Sequence, residues 1–252
     1  MQETFSVSIA NIYDQVMDYF DYKKSAQIIN GVIESMGGKV GVPRILEIGV
    51  GTGACALELI ALGYEVEGID HSPGMLAEAR RKWSEKSLPL GSLHQCDVKD
   101  FSLDSIFDVV LSHAGPLRID YTQDRGYFFE TYLASDADLE QAVGRISDHL
   151  TPAGLLLMSI QTTPDPEKST RSTPHYRGLG DGYIATKTII EAGNKRTKIR
   201  ELKKGGLVIA RVEHQFLVID LERFNALAAC RKLCNRGPDA TNHFQIFKKT
   251  LS

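Results

Sequence analysis

A chain of 252 residues suits one large domain with an insertion, and 42% hydrophobic with 24% charged residues is an ordinary globular composition that excludes a disordered or fibrous chain. Twenty-nine basic against thirty-two acidic side chains leave a formal charge of −3, so no global field draws the protein onto a polyanion. No apolar run reaches the roughly 18 residues of a membrane-spanning helix, and Met1 to Ser8 lacks the basic and apolar regions of a secretory leader, so a cytoplasmic protein without membrane contact is expected.

The first forty residues are rich in tyrosine and read as two helical pieces, broken off at Gly37 and Gly38. From Arg44 to Ile160, short apolar runs alternate with amphipathic stretches, the pattern of βαβ units in a parallel sheet. The first strand, Arg44 to Ile48, enters a turn at Gly49 to Gly53, and a helix over Ala54 to Leu62 stops at Gly63. A second strand, Glu65 to Ile69, closes on Asp70. Ser72 and Pro73 are a strong helix start, followed by a core stripe of Met75, Leu76, Ala79 and Trp83 in which Met75 stands beside the mouth of the sheet. Ser92 to Gln95 and Ile106 to Leu111 read as strands, Asp138 to His149 as a helix, Leu150 to Gly154 as the turn that stops it, and Leu155 to Ile160 as a fifth, buried strand.

Beyond Ile160 the texture changes. Thr162 to Gly182 reads as a long mobile or substrate-facing loop. Three strand-like runs follow, Tyr183 to Glu191, Lys195 to Leu202 and Leu207 to Ile219, separated by hairpin turns. A short helix over Leu221 to Ala229 and a strand over Phe244 to Lys248 return the chain to the main sheet. The expected organisation is a helical cap over 1–40, a core over 41–161, an inserted loop and meander over 162–219, and core-completing elements over 220–252.

In an open parallel sheet the ligand meets the first strand-to-helix turn, here Glu47-Ile-Gly49-Val-Gly51-Thr-Gly53. Alone this turn also satisfies a relaxed dinucleotide fingerprint, which leaves a nicotinamide oxidoreductase open. It is sharpened by Asp70 ending the second strand, Asp97 after the third, Asp108 inside the fourth and the Leu-x-Pro-x-Gly turn at 150–154. With these in place the segment resembles class I S-adenosylmethionine-dependent methyltransferases over about Pro43 to Gln161. The resemblance implies an α/β fold, Rossmann-like, with a seven-stranded, mostly parallel sheet, helices on both faces, a reversed final strand and an inserted antiparallel β-meander. It also implies S-adenosyl-L-methionine as cofactor and S-adenosyl-L-homocysteine as product. Gly49 and Gly51 would line the cofactor's amino-acid part, Asp70 would accept the ribose hydroxyls, and Asp97 with Val98 would read the adenine edge. Glu47, Gly53, His71, Met75 and Ser112 complete the implied cofactor set.

More narrowly, Ile12-Tyr-Asp14, His94-Gln-Cys-Asp97, Lys99-Asp-Phe101 and the meander resemble small-molecule enzymes of the amino-sugar N,N-dimethyltransferase and glycine N-methyltransferase type. In such enzymes N-terminal tyrosines close over the cofactor, which makes Tyr13 and Tyr22 candidates. The sequence departs from that subgroup between Arg118 and Thr131, where Ile119 to Phe129 reads as an extra lid carrying Tyr121.

Methyl transfer mainly requires alignment and exclusion of water, and a base serves only where the acceptor must shed a proton. His113 in Ser112-His113-Ala-Gly-Pro116, at the end of the fourth strand, is the candidate catalytic base. Besides His113 and Tyr121, the residues placed towards the acceptor are His175, Tyr176, Arg177 and His214. The four cysteines, Cys55, Cys96, Cys230 and Cys234, form no Cys-x-x-Cys pair or zinc spacing, and no metal is expected. The basic run from Lys195 to Lys204 puts Arg196, Lys198 and Arg200 on one face, read as a charged guard on an exposed strand. The leading expectation is a small-molecule O- or N-methyltransferase of secondary metabolism. An RNA or protein methyltransferase using the basic strip and a non-catalytic cofactor-binding regulator are the rivals. Nucleic acid is not the expected partner, and a homodimer is compatible with the sequence.

Overall fold

The computed structural model of the chain describes residues 10, 13–14, 21–35, 41–123, 125–162, 175–178 and 183–250. Ile12, the Gly37–Gly38 break and most of the Thr162–Gly182 loop lie outside them.

The core sheet is built from β1 (Arg44–Ile48), β2 (Glu65–Asp70), β3 (Leu93–Gln95), β4 (Phe107–Ser112), β7 (Leu150–Thr162), β12 (Leu233–Pro238) and β13 (Phe244–Lys249). Its order is β3-β2-β1-β4-β7-β13-β12, and β13 alone runs against its neighbours. This is the expected seven-stranded sheet with a reversed last strand. The order reverses between β1 and β4, which opens a crevice at their carboxyl ends.

Apolar residues on both faces of the strands explain why helices cover both. Helices α1 (Tyr22–Ser35), α2 (Ala54–Ala61) and α3 (Pro73–Glu85) pack Ile29, Leu59, Leu76 and Trp83 on one side. Helices α4 (Asp136–Asp148) and α5 (Leu221–Cys230) pack Leu139, Val143, Phe224 and Ala228 on the other. The start of α3 matches its sequence signal, since the Ser72 hydroxyl accepts the Met75 N–H at 3.3 Å ahead of Pro73.

Two expectations are corrected. Leu150 to Gly154 is not a free turn but the irregular first part of β7. Leu150 pairs with Phe107 and Leu155 with Val109, and the intervening slack is absorbed where Ala153 takes a φ of 63°. Asp108 secures this place, accepting from the Arg44 N–H and the Thr151 hydroxyl at 3.1 Å each. Nor is Ile119 to Phe129 a lid. It forms the hairpin β5 (Leu117–Thr122) and β6 (Gly126–Thr131), whose alternating apolar residues are buried.

This hairpin founds a second sheet. The last residues of β7 pair with β5, and the order continues through β6, β11 (Leu207–Asp220), β10 (Lys195–Lys204) and β9 (Tyr183–Ala192) to β8 (His175–Gly178). The expected core of 41–161 therefore contains one hairpin that belongs with the inserted meander. Phe129 of β6 stacks on Phe224 of α5 at 3.9 Å, and Phe224 meets Phe247 of β13 edge-on at 5.4 Å, so one aromatic run fastens the second sheet to the first.

Gly53, at the N-terminus of α2, shows how closely the layers meet. Its φ is 77°, and a Cβ there would lie 2.4 Å from the Trp83 ring. Left-handed strain and overpacking together should make Gly53→Ala less stable by about 2–4 kcal/mol. Urea unfolding measures this, and a loss below about 1 kcal/mol would mean the α2–α3 contact is looser than described.

Candidate active site

The chain leaves β1 through Gly49, Gly51 and Gly53 at φ of 69°, 57° and 77°, a left-handed path that residues bearing a Cβ follow only under strain. The Gly49 and Val50 N–H groups both donate to the Ile69 carbonyl, at 2.8 and 3.0 Å. Asp70, at the tip of β2, closes the arrangement. Its Oδ2 accepts the Gly51 N–H and its Oδ1 the Ser72 N–H, each at 2.8 Å. Burial pushes the Asp70 carboxyl up, and those two N–H groups pull it back towards the charged form. A Cβ on Gly49 would lie 2.6 Å from Pro116 Cδ, whereas one on Gly51 would meet nothing nearer than 4.0 Å. Gly49 thus packs against the end of β4, and Gly51 has an open side.

That side borders a cavity of about 200 Å³. From the β2 and β3 tips it is lined by Ile69, Asp70, His71, Met75, Cys96, Asp97 and Val98, from beneath by Gly49 and Gly51, and from the β4, β6 and β11 side by Ala114 to Pro116, Tyr132, Leu133 and His214. Apolar walls flanked by two carboxylates suit a flat ring carrying hydroxyl and amino groups. Tyr13 also lines the cavity. Its neighbour Asp14 explains how it is held: the Thr52 hydroxyl donates to Asp14 at 2.5 Å, and Lys82 of α3 forms an ion pair with the same carboxylate.

Tyr13, Gly49, Gly51, Asp70, His71, Met75, Asp97, Val98 and His214 of the sequence candidates therefore meet in one place. Others do not. Glu47 lies under the turn, and Gly53 faces Trp83. Ser112 is fully buried, its hydroxyl accepting the Leu117 N–H at 3.2 Å. His113 points to the opposite side of the β4 end, where its Nε2 is 3.1 Å from the Ser25 hydroxyl and its ring lies between Tyr22 and Phe244. Burial, with a smaller push from His243, lowers it to about 4. His113, the expected catalytic base, thus packs beneath α1 with Tyr22 against its ring, and neither residue is among those that line the cavity. Tyr121 packs on Tyr127 on the sheet face opposite Arg118 and Asp120. His175, Tyr176 and Arg177 lie on the outermost strand of the second sheet, with side chains outside the described residues.

The basic run is corrected most sharply. Arg196 and Lys198 are not solvated; they are 2% and 1% exposed. Arg196 bonds Asp120 at 2.8 Å, Glu130 at 2.9 Å and also Glu191. Lys198 bonds Glu130 at 2.7 Å, Arg118 pairs with Glu130, and the Arg118 guanidinium lies 4.3 Å over the Phe216 ring. The available signal was complementary: Arg118, Asp120 and Glu130 alternate along two strands, so their shared face carries charges of both signs. Among the described residues, no helix is long and apolar enough to cross a membrane, and no group of three His, Cys, Asp or Glu could hold a metal ion.

Glu47 is 2% exposed, its carboxyl is held by the Ala56 N–H, and its Oε2 has no partner. Burial, opposed by that N–H, pushes it up from 4.5 to about 8. A carboxyl raised by folding favours the fold while protonated; that contribution is whole below its unfolded value and is lost as pH climbs towards about 8. Stability of the ligand-free chain should therefore fall by up to about 1.4 kcal/mol per pH unit across this window. Glu47→Gln should flatten that segment in urea titrations, and an unchanged slope would show that Glu47 ionises freely.

Residues 45–154 match the family model described as "Methyltransferase domain". A dTDP-3-amino-3,6-dideoxy-alpha-D-glucopyranose N,N-dimethyltransferase of Streptomyces fradiae is 27% identical over 224 residues, covering 88% of this chain and 75% of that protein. An S-adenosylmethionine-dependent methyltransferase of Clostridium acetobutylicum superimposes with a TM-score of 0.73 at 16% identity, over 97% of this chain and 98% of the other. A sugar N-methyltransferase of Streptoalloteichus does so with 0.71 at 19% identity, over 95% and 93%. The domain match, the sheet order and the Gly51–Asp70 turn opening on a lined cavity lead to one conclusion: residues 45–154 form a methyltransferase domain, and the chain is similar in sequence and fold to S-adenosylmethionine-dependent enzymes that modify small molecules.

Proposed function

We propose that the chain methylates an amine nitrogen of a small-molecule acceptor, with amino sugars the best-supported class. The carrying observation is a single cavity that has two carboxylates and a bare glycine turn at one end and Tyr132 and His214 at the other. The curated relative from Streptomyces fradiae acts, by its name, on the nitrogen of an amino sugar. The rival polyanion reading loses its footing because Arg196 and Lys198 are turned inward.

S-adenosylmethionine, when bound, supplies a methyl group already activated on a sulfonium. In this reading Asp70 accepts hydroxyl groups while keeping its hold on Gly51 and Ser72, since each carboxylate oxygen can accept more than one bond. Asp97 accepts from an amino group beside Val98, and the backbone from Gly49 to Gly51 permits close approach of the amino-acid tail. Tyr13, anchored through Asp14, covers the cavity and excludes water. The acceptor nitrogen forms its new C–N bond as the C–S bond breaks, with that electron pair left on sulfur, and then sheds a proton. His214, 2% exposed and set against Tyr132 at 5.2 Å between ring centres, is the group placed to receive it.

Asp70→Ala should weaken S-adenosylhomocysteine binding by at least about tenfold in calorimetry; equal affinity would contradict the ribose assignment. His214→Ala should lower turnover by about 100-fold while S-adenosylhomocysteine affinity stays within about twofold. His113→Asn should leave turnover within about threefold. The reverse ranking of the two histidines would restore His113 as the base.

A further inference from the structure

Arg118 of β5 is 2% exposed. Its ladder partner is Glu130 of β6, and the guanidinium forms an ion pair with that carboxylate. Hydrogen bonding does not account for the whole group: Nε is buried and, among the described residues, has no partner. An idle buried donor is costly, and apolar side chains can replace a buried ion pair without loss of stability. Stability alone therefore does not explain an arginine at this position.

Its ring contacts do. The guanidinium carbon lies 4.3 Å from the centre of the Phe216 ring and 5.6 Å from that of Tyr132. Those two rings are 4.3 Å apart and tilted by 42°. His214 meets both nearly edge-on, at 5.2 Å from Tyr132 and 6.2 Å from Phe216. Lys198 stands 4.9 Å over the Phe216 ring and fixes it from β10. Tyr132 and His214 border the cavity, whereas Arg118 and Phe216 stand behind them, outside its lining. A flat cation attracts ring faces, so one buried group holds two of the three rings in a single arrangement. Tyr132 is only half-buried. Without such a hold its ring would be free to turn into the cavity and would take the His214 contact with it.

We infer that Arg118 is a positioning residue of the methyl-transfer site: through the faces of Phe216 and Tyr132 it fixes the imidazole of His214 where the departing methyl group and the acceptor meet. This rests on the methyl-transfer reading. Arg118→Lys is the discriminating change, because an ammonium keeps the pair with Glu130 and loses the plane. Phe216→Leu breaks the same stack without removing a charge. The probe of the reacting position is sinefungin, an analogue of the cofactor with an amino group where S-adenosylmethionine carries its sulfonium methyl group. In calorimetry on the full chain, both variants should bind S-adenosylhomocysteine within about twofold of the parent and sinefungin about fivefold or more weakly. The His214 ring resonance, identified by its loss in His214→Asn and displaced in the parent by the neighbouring rings, should move towards that of an exposed histidine in both. A residue that only supports the fold would lower the urea midpoint when replaced and move neither readout. Unchanged sinefungin affinity with an unmoved His214 resonance would overturn the inference. So would equal losses of sinefungin and S-adenosylhomocysteine affinity, which would mark a general loosening of the site. If S-adenosylhomocysteine gave no heat with the parent, the methyl-transfer reading would fall instead.

Discussion

The site depends on one buried carboxylate. Asp70 joins the turn after β1 to the turn after β2 by accepting Gly51 N–H on one oxygen and Ser72 N–H on the other. Neither turn is regular structure, so neither has a ladder of its own to satisfy these groups. Because Gly51 takes a φ of 57° with open space where a side chain would stand, the same carboxylate that stiffens the turn leaves bare backbone facing the cavity. Pre-organisation of this kind puts the cost of ordering the loop into folding rather than into binding.

The side of the cavity proposed for the acceptor is organised differently. It is carried by a second sheet that grows from the end of β7 and is fastened by the Phe129, Phe224 and Phe247 contacts. Its inner face is ionic where a core would ordinarily be apolar. Burying Arg118, Arg196 and Lys198 is tolerable because each is ion-paired with a carboxylate among Asp120, Glu130 and Glu191. Such a face costs more to assemble than an apolar one, and what it provides is fixed polar geometry beside His214. The two halves of the cavity thus rest on separate devices, a carboxylate-locked glycine turn and a charge-paired sheet.

Much of this was legible in the sequence because local chemistry and global position agree there. The turn from Glu47 to Gly53, the capped start of α3 at Ser72 and the acids at 70 and 97 each have a local reason to be where they are, and they stand at the mouth of the sheet. Where a residue's placement departs from the expectation the cause is shared as well: it turns on which way a side chain faces. His113 follows β4 at the expected height, but the left-handed residue Ala114 (φ 53°) and the tight approach of Gly115 to β1 re-aim the chain, and its ring lands against α1. Arg196 and Lys198 share a face as their spacing requires, but only pairing with β11 and the β5–β6 hairpin shows that this face is the inner one. The hairpin itself was missed because β5 alternates charge with apolar residues, Arg118 and Asp120 on either side of Ile119, and charge at every second position reads as solvated until its partner is known.

The most direct measurement is a crystal structure of the chain grown with S-adenosylhomocysteine. The account predicts the ribose on Asp70, the adenine between Met75 and Val98 beside Asp97, and the sulfur directed towards Tyr132 and His214. A ligand bound elsewhere, or one lying in this cavity with its sulfur turned away from His214 towards the α1 side and His113, would contradict it.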